Sequence, residues 1–270
     1  MPEQQVTVII SNYNYAQFVG CAIESCLKQT VKPQIIVVDD ASTDSSWDEI
    51  IKYKQLNFMA VRLKTNSGGN AKGKNIGILL SKTKYVTCLD SDDLLLPSSI
   101  EQRLSAIEKY QVDWVHGTAI PIVSRKGYNS MLSKIRGNVA AKDLLFYQLQ
   151  KRNMKLPEHN INWYMCVEAS TVLTTRKIYD VVGLYDERLK WKIDREMWNR
   201  FLLLEMKKRF ININVSIYRK HKLQATQNKS IKDPIEINAL FDRILKTRHK
   251  YEPIKAEGYN LFKNIDKIVG

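Results

Sequence analysis

Short apolar runs recur along the first third of the chain, and each ends in polar or acidic side chains. These runs occupy residues 6–10, 35–38 and 85–89. Helical patterns fill the intervals between them, the first over residues 16–28, where apolar side chains recur near helical spacing. Strand runs and helices that alternate in units this short predict right-handed crossovers and a parallel sheet of buried strands.

The same alternation continues and predicts an α/β protein with a mostly parallel central sheet and flanking helices. Further strands are expected at residues 59–63, 113–116, 169–174 and 215–218, and further helices at 46–55, 71–81, 97–110, 142–150, 177–182 and 194–205. From Asp233 onward the pattern is helical and basic, which predicts a helical C-terminal extension.

Composition excludes several classes of protein. Hydrophobic residues make up 44% of the 270 positions, enough for a core, so a wholly disordered chain is excluded. No apolar run approaches the ~18 residues that cross a bilayer. The N-terminus lacks a basic region followed by an apolar stretch, so we expect no secretory signal and a cytoplasmic location. Four scattered cysteines suit a reducing compartment and exclude a disulfide scaffold or a zinc ribbon.

The chain is strongly basic, with 42 Lys and Arg against 28 Asp and Glu and a formal net charge of +14. Such a charge favours nucleic acid, anionic lipid or phosphorylated substrates as partners. A solvated, lysine-rich surface explains the charge equally well. No aromatic-basic RNA motif or zinc-finger spacing is present, so we expect no nucleic-acid partner.

Three predicted strands end in polar groups at the edge where parallel sheets bind their ligands. The residues concerned are Ser11 to Tyr13, Asp39-Asp40 and Asp90-Ser91-Asp92-Asp93. Crowded carboxylates repel one another unless a cation compensates, so we expect Mg²⁺ or Mn²⁺, held jointly with a substrate's phosphates. Helix capping is the competing explanation for Asp44 or Asp48, whereas the acids around Asp92 favour a metal. No glycine-rich phosphate loop follows the first strand.

Six sequence blocks in a fixed order resemble the inverting glycosyltransferases of family 2, which have the GT-A fold. The blocks are 8–14, 37–44, 66–77, 89–93, 183–189 with Asp194 and Trp198 beyond it, and 218–221. The fourth resembles the family's DxD metal motif, and the fifth resembles the block that carries the catalytic base. The resemblance covers roughly residues 6 to 222. It implies a GT-A catalytic domain over residues 1–222, with a nucleotide-binding half (about 1–116) and an acceptor half (about 117–222), before the extension 223–270.

The resemblance implies a nucleoside-diphosphate sugar as the donor, first of all a UDP-sugar. Ser11 and Tyr13 match positions that contact the nucleoside, and Asp90 matches the position near the ribose. Asp40 matches the carboxylate that accepts a hydrogen bond from uracil. Asp92 matches the ligand of Mn²⁺ or Mg²⁺, which bridges the phosphates, with Mn²⁺ favoured by the resemblance. The candidate phosphate neighbours are Lys72, Lys74, Arg219 and His221, of which Lys74 and His221 fit best.

Asp194 matches the family's general base, a carboxylate that removes the proton of the acceptor hydroxyl as the oxygen attacks the anomeric carbon. The chain departs from the family in one respect, because Ile193 stands where a glutamate is usual. Glu196 is therefore a rival base. On a helix the two acids point ~200° apart, so only one of them can face the cleft.

Other side chains in the acceptor half have less specific expectations. The resemblance implies a glycan or a lipid-linked saccharide as the acceptor. Trp163 or Trp191 could stack on its sugar rings, whereas Trp198 is expected in the core. Glu168 either binds a hydroxyl or lies at the surface, and His116 and His159 are expected to be structural.

Three other functions compete with that of an active glycosyltransferase. A catalytically inactive relative that serves as an assembly subunit remains open because of Ile193. A basic nucleic-acid-binding protein is motivated only by the net charge. A sugar-1-phosphate nucleotidyltransferase is disfavoured, because its glycine-rich, arginine-containing loop is missing from residues 11–15.

The C-terminal extension combines an apolar stripe with basic residues. The stripe contains Ile235, Leu240, Ile244 and Leu245, and the basic residues include Arg243, Lys246 and Arg248. This pattern predicts either peripheral binding to the inner face of the membrane or packing against the catalytic domain or a second subunit of a homodimer.

Overall fold

The computed structural model describes residues 4–53, 58–122, 167–190, 192–221, 223–224, 255 and 259–269. Several predictions fall outside these residues and stay predictions. They are the helix at 142–150, the basic helix between 233 and 254, and the roles of His159, Trp163 and Trp191.

One mixed sheet organises the described chain. Its strands are β1 (Val6–Asn12), β2 (Gln34–Asp39), β3 (Phe58–Leu63), β4 (Tyr85–Asp90), β5 (Leu94–Leu95), β6 (Trp114–Ile122), β7 (Val172–Thr175), β8 (Lys208–Arg219) and β9 (Ile265–Val269). They lie in the order β5-β8-β6-β7-β4-β1-β2-β3-β9. β1 to β4 are parallel to one another, as the alternation of strands and helices predicts. Beyond β4 the sheet is mixed, because β7 is antiparallel to both β4 and β6, while β6 and β8 are parallel.

Helices cover both faces of the sheet, as predicted. The described α-helices are α1 (Ala16–Leu27), α2 (Ser46–Ile50), α3 (Ala71–Leu80), α4 (Ser99–Tyr110), α5 (Ile178–Val182) and α6 (Ile193–Leu203). Side chains alternate along β1, so that Val8 and Ile10 pack in the cluster that contains α1 and α4, whereas Ile9 packs with α3 and α6. None of the described helices is long and apolar enough to cross a lipid bilayer.

Two elements of the acceptor half differ from the sequence prediction. The strand expected at 169–174 begins with a 3-10 helix, Ala169–Thr171, because the Thr171 amide and hydroxyl both bond the Glu168 carbonyl. β8 is much longer than the predicted 215–218. It pairs with β6 from Trp114 to Ile122, and this pairing extends the strand back into its charged, exposed beginning.

The helical prediction for the end of the chain is wrong for residues 265–269. A 3-10 helix, Leu261–Asn264, leads into β9, which is antiparallel to β3. Ile265 packs there with Val61 and Ile36. Without β9, the edge of β3 would expose unpaired backbone N–H and C=O groups, and pairing with β9 satisfies them. The described end of the predicted extension is therefore part of the catalytic sheet.

Candidate active site

The first, second and fourth sequence blocks meet at the carboxyl ends of β1, β2 and β4. Ser11 is in register with Val38 on one side and with Asp90 on the other, and Asn12 is in register with Asp39. The parallel register thus brings these polar residues to one edge of the sheet, as the sequence predicts from the polar groups at the ends of the strands.

Asp39 and Asp40 have different partners although they are adjacent. Asp39 is fully buried and accepts hydrogen bonds from the amide and the hydroxyl of Ser42, at 3.1 and 2.6 Å, so it holds the turn after β2. Asp40 accepts bonds from the amide and the hydroxyl of Ser67, at 2.9 and 2.7 Å, and from Asn66 Nδ2 at 3.1 Å. Burial raises the pKa of Asp40, and the bonds from Ser67 oppose that rise. The loop that begins at Asn66 therefore fixes the Asp40 carboxylate.

Ser11 lies at the end of β1 and Tyr13 directly follows the strand; the Asn12 carbonyl between them accepts a bond from the Asp40 amide at 2.8 Å. Ser11 Oγ donates to the Asn70 carbonyl at 3.4 Å. Gly73 packs so closely here that an added Cβ would come 2.4 Å from Ser11 Oγ. Tyr13 is 43% exposed. Its ring is thus accessible for stacking, and the nucleoside contact stays a prediction.

Asp194, at the start of α6, meets Asp90, at the end of β4, through Lys74 of α3. Lys74 Nζ lies 2.9 Å from Asp194 Oδ1 and 3.2 Å from Asp90 Oδ1. The lysine is fully buried, whereas the two carboxylates keep part of their surface exposed. Burial raises the pKa of Asp194, the ammonium of Lys74 opposes that rise, and the charge of Asp90 adds to it. A partly exposed carboxylate with a raised pKa suits a group that must take up a proton.

The rival base, Glu196, lies in a closed ion pair. Its two carboxylate oxygens accept bonds from Nε and Nη2 of Arg200, both at 2.7 Å, and both side chains are buried. Arg200 Nη1 also donates to the Val182 carbonyl at 2.6 Å. Asp194, in contrast, is joined through Lys74 to Asp90 of the fourth sequence block.

Asp92 and His221 face each other between the loop after β4 and the end of β8. His221 Nε2 lies 3.0 Å from Asp92 Oδ2. The imidazole ring lies against Phe18 and Tyr15, with ring centroids 4.4 and 5.5 Å apart. Its Nδ1 is buried and has no hydrogen-bond partner among the residues that the structure describes.

This pair fits a divalent cation. A carboxylate oxygen beside an imidazole nitrogen is a donor set that Mn²⁺ and related ions accept. Within the described ranges, no group of three or more His, Cys, Asp or Glu side chains could hold a metal ion. Asp92 and His221 would therefore supply the protein ligands, and diphosphate oxygens and water the others.

Arg219 contacts the backbone of the DxD block. Its guanidinium donates to the carbonyls of Asp92 and Asp93 and lies 4.9 Å from the ring centroid of Phe18. Its amide donates to Asp93 Oδ1 at 3.1 Å, and Ser170 Oγ donates to Asp93 Oδ2 at 3.3 Å. Burial raises the pKa of Asp93 well above its usual range, and the charge of Asp92 adds to this rise. Arg219 thus fastens the loop after β4 to β8, and its phosphate contact stays a prediction.

Glu168 adds a further carboxylate to this region. Burial raises its pKa, the charges of Asp194 and Asp90 add to that rise, and Lys220 opposes it. Glu168 is therefore near the Asp90–Lys74–Asp194 group rather than on a remote surface. His116, in contrast, stacks on Trp114 in the core, and burial lowers its pKa to about 4.

The sequence profile of glycosyl transferase family 2 matches residues 7–171, which is more than half of the chain. The chain belongs to glycosyl transferase family 2. This confirms the resemblance read from the six blocks and the enzyme class, a glycosyltransferase.

Named relatives of this family 2 member are bacterial glycosyltransferases. GlyG of Streptococcus pneumoniae is 28% identical over 218 residues, which are 80% of this chain and 70% of GlyG. WfaP of Escherichia coli, a UDP-Glc:α-D-GlcNAc-diphosphoundecaprenol β-1,3-glucosyltransferase, is 33% identical over 108 residues, 40% of this chain and 43% of WfaP. TarS of Staphylococcus aureus, a poly(ribitol-phosphate) β-N-acetylglucosaminyltransferase, is 28% identical over 127 residues, 46% of this chain and 21% of TarS.

Solved structures show that the fold is GT-A. A TarS fragment in complex with UDP-GlcNAc has a TM-score of 0.71 at 16% identity, over 94% of this chain and 69% of the fragment. The mannosyltransferase PcManGT of Pyrobaculum calidifontis, in complex with GDP-Man and Mn²⁺, has a TM-score of 0.62 at 14% identity, over 93% of this chain and 66% of PcManGT. This chain spans only 37% of a longer TarS structure. At such identities the likeness confirms the predicted fold and nothing finer.

The sequence did not single out every residue at this site. Asn66 and Ser67, which hold Asp40, were noticed only as the beginning of a family block. Phe18, which contacts both Arg219 and His221, is in the sequence one of the apolar residues of the helical pattern at 16–28. Nothing in their spacing signals these contacts, because they join residues that are distant in the sequence.

Proposed function

We propose that this chain transfers a sugar from a nucleoside-diphosphate sugar, first of all a UDP-sugar, to a hydroxyl of a glycan or lipid-linked saccharide, with inversion. The observation that carries this proposal is the group formed by Asp90, Lys74 and Asp194. It joins the carboxylate predicted near the donor's ribose to the predicted base through a single ammonium group.

The surroundings of Asp40 support a uridine donor. A carboxylate only accepts hydrogen bonds, and the imide N–H of uracil donates one. Asp40 is held in place by Ser67 and Asn66, and the exposed ring of Tyr13 in the neighbouring turn is accessible for stacking on a base. TarS, whose fold this chain shares, has been crystallised with UDP and with UDP-GlcNAc.

Asp92 and His221 would hold the divalent cation. A cation held there would supply Lewis-acid stabilisation of the charge on the departing diphosphate. The imidazole nitrogen favours Mn²⁺ over Mg²⁺. The carbonyls of Asp92 and Asp93 are held by Arg219, so the position of the Asp92 carboxylate is set before any ligand binds.

Asp194 would act as the base. Its exposed oxygen accepts the proton of the acceptor hydroxyl while that oxygen attacks the anomeric carbon from the face opposite the diphosphate. Two carboxyl groups on opposite faces of a sugar characterise inverting hydrolysis, and here the metal would replace the acid. The raised pKa of Asp194, caused by burial, makes its carboxylate a better proton acceptor at neutral pH.

The acceptor proposal is supported by the relatives and by charge. WfaP acts on a diphosphoundecaprenol-linked sugar, and TarS acts on a poly(ribitol phosphate), as their names state. Both acceptors are anionic, which suits a chain of net charge +14. A cytoplasmic location with peripheral contact to the inner face of the membrane, and association as a homodimer, belong to the same proposal; a nucleic-acid partner does not.

Calorimetric titration with UDP, GDP, TDP and CDP, each with and without Mn²⁺, tests the donor half. We expect UDP to bind most tightly and only with the metal. Asp92→Asn should lose this metal-dependent binding, whereas Asp48→Asn, at an exposed helix position, should keep it. A preference for another base would contradict the role of Asp40. No binding by the folded protein would favour the inactive relative instead.

A further inference from the structure

Lys74 is buried because α3 packs unusually close to β1. Two glycines on that helix, Gly73 and Gly77, face the strand. A Cβ on Gly77 would come 2.2 Å from Ile9 Cγ2, and a Cβ on Gly73 would come 2.4 Å from Ser11 Oγ. Any larger side chain at either position would push α3 away from the sheet. The helix thereby carries Lys74 into the interior behind the strand ends.

The ammonium lies behind the two carboxylates that it joins. The Lys74 side chain has no exposed surface, whereas the side chains of Asp194 and Asp90 are 24% and 30% exposed. The ammonium also lies over the ring of Tyr185, with the ring centroid 5.5 Å from Nζ. Lys74 can therefore reach a donor phosphate only by leaving both carboxylates. This arrangement differs from the phosphate contact that the family resemblance implies.

A buried ammonium needs partners to remain charged. Burial lowers the pKa of Lys74, but the charges of Asp194 and Asp90 outweigh burial and raise its pKa above the usual value. The other titratable groups that face Asp194 are Glu168, Cys88 and Tyr185. Among the described groups whose charges act on Asp194, Lys74 is the one that favours its ionised form.

We propose that Lys74 is a positioning residue for the base: it holds the Asp194 carboxylate ionised and in register with Asp90, and it does not bind the donor phosphates. This inference rests on the proposed function, because it gives Lys74 a task in the same transfer. Lys74 acts on the reaction only through Asp194.

Lys74→Met tests the inference, because methionine keeps the length of the side chain and removes its charge. We expect kcat to fall by about 10- to 100-fold, since a carboxylate that loses its ammonium loses part of its ionised population. The Kd for UDP with Mn²⁺ should stay within about twofold of the wild-type value. Lys82→Met, at an exposed lysine just beyond α3, is the matched control and should change neither quantity.

A second readout needs no turnover. The carboxyl carbon-13 signal of Asp194 is the one that Asp194→Asn removes from protein labelled at aspartate. We expect its titration midpoint to rise by about one pH unit or more in Lys74→Met, because an opposite charge at salt-bridge distance lowers a carboxyl pKa by ~1–3. In Asp194→Asn, adding Lys74→Met should reduce kcat no further.

The outcomes separate the inference from the proposed function. Loss of UDP affinity by tenfold or more with kcat unchanged would make Lys74 a phosphate ligand and overturn the inference, as would an unchanged midpoint of Asp194. If Lys74→Met does not fold, Lys74→Arg keeps the charge: an unchanged midpoint and UDP affinity support the inference, and weakened UDP binding overturns it. Failure of the wild-type protein to bind any nucleotide would sink the proposed function, while the midpoint still reports on Lys74.

Discussion

Helix α6 carries two buried ion pairs that begin two residues apart and differ in almost every other respect. Glu196 and Arg200 pair within the helix, at 2.7 Å, with 1% and 2% of their side chains exposed. Asp194 pairs outside the helix with Lys74, and that lysine is shared with Asp90. The first pair is closed to solvent, and the second leaves its carboxylates partly exposed.

This difference suits the closed pair to a structural role and the open pair to the proposed chemical role. In the closed pair both carboxylate oxygens are taken by one guanidinium, and little lone-pair capacity is left for a substrate. In the open pair the ammonium satisfies one oxygen of Asp194 and leaves the other for an incoming proton. Removal of the closed pair should therefore affect stability, and removal of the open pair should affect turnover.

The largest expected effect is on turnover, in Asp194→Asn. We expect kcat to fall by ~10²- to 10⁴-fold, the usual contribution of a general base, while UDP affinity stays nearly unchanged. The free energy of unfolding should change little, because Lys74 keeps Asp90 as its partner. Initial rates of UDP release and urea unfolding measure the two quantities.

The pH profile checks that the loss concerns a base. Because the base must be ionised and burial raises the pKa of Asp194, the wild-type kcat/KM should rise with pH through a midpoint above the usual range of an aspartate. This rise of kcat/KM with pH, the acidic limb of the profile, should be absent in Asp194→Asn. If the variant keeps full turnover, or if the limb survives, then Asp194 is not the base and the comparison between the two pairs fails.

The second prediction concerns the closed pair. Glu196→Gln removes the charge of the carboxylate that is paired with the buried Arg200 guanidinium, so we expect the free energy of unfolding to fall by about 3–5 kcal/mol. The folded fraction should keep its kcat, because both carboxylate oxygens of Glu196 are bonded to Arg200 rather than to Lys74. Urea denaturation and rates measured well below the transition test both statements.

Asp180→Asn is the matched control for Glu196→Gln. It breaks an ion pair with Arg176 of the same i, i+4 spacing, but Asp180 is 58% exposed, so a change below about 1 kcal/mol is expected. A Glu196→Gln variant that is as stable as the wild type but inactive would reverse the assignment of the two acids.

The sequence predicts the polar edge at the ends of β1, β2 and β4 more completely than the rest of the site. Runs such as 35–38 followed at once by Asp39-Asp40 fix both the strand and the position of the acids, since parallel strands end at one edge. The six blocks then predicted the family and the fold, and both are confirmed. These features are local, so the sequence displays them directly.

The contacts that distinguish the two acids of α6 are not local. Helical geometry showed that only one acid could face the cleft, but the choice depends on Lys74, which lies 120 residues away. The strand at the end of the chain also depends on a distant partner. β9 forms because β3 has an unpaired edge, and the sequence of residues 265–269 gives no sign of that edge. Partners of this kind are set by tertiary packing, which overrides the local pattern.

The smallest expected effect tests whether the open pair depends on the C-terminal segment. Tyr259 donates to Glu187 Oε1 at 2.6 Å, and Asn75 Nδ2 donates to the same oxygen at 2.9 Å. Asn75 follows Lys74 on α3, so this bond ties the end of the chain to the helix that carries Lys74. Tyr259→Phe should lower the free energy of unfolding by about 1 kcal/mol, the typical contribution of one such hydrogen bond.

Turnover should stay within about twofold in Tyr259→Phe, because the salt bridges of Lys74 do not pass through Glu187. Tyr110→Phe, which removes the hydroxyl of a largely exposed tyrosine, is the control and should leave both stability and turnover unchanged. A fall in kcat of tenfold or more at full stability in Tyr259→Phe alone would show that the C-terminal segment sets the position of Lys74. The geometry of the open pair would then depend on the C-terminal segment, whereas the closed pair would depend only on α6.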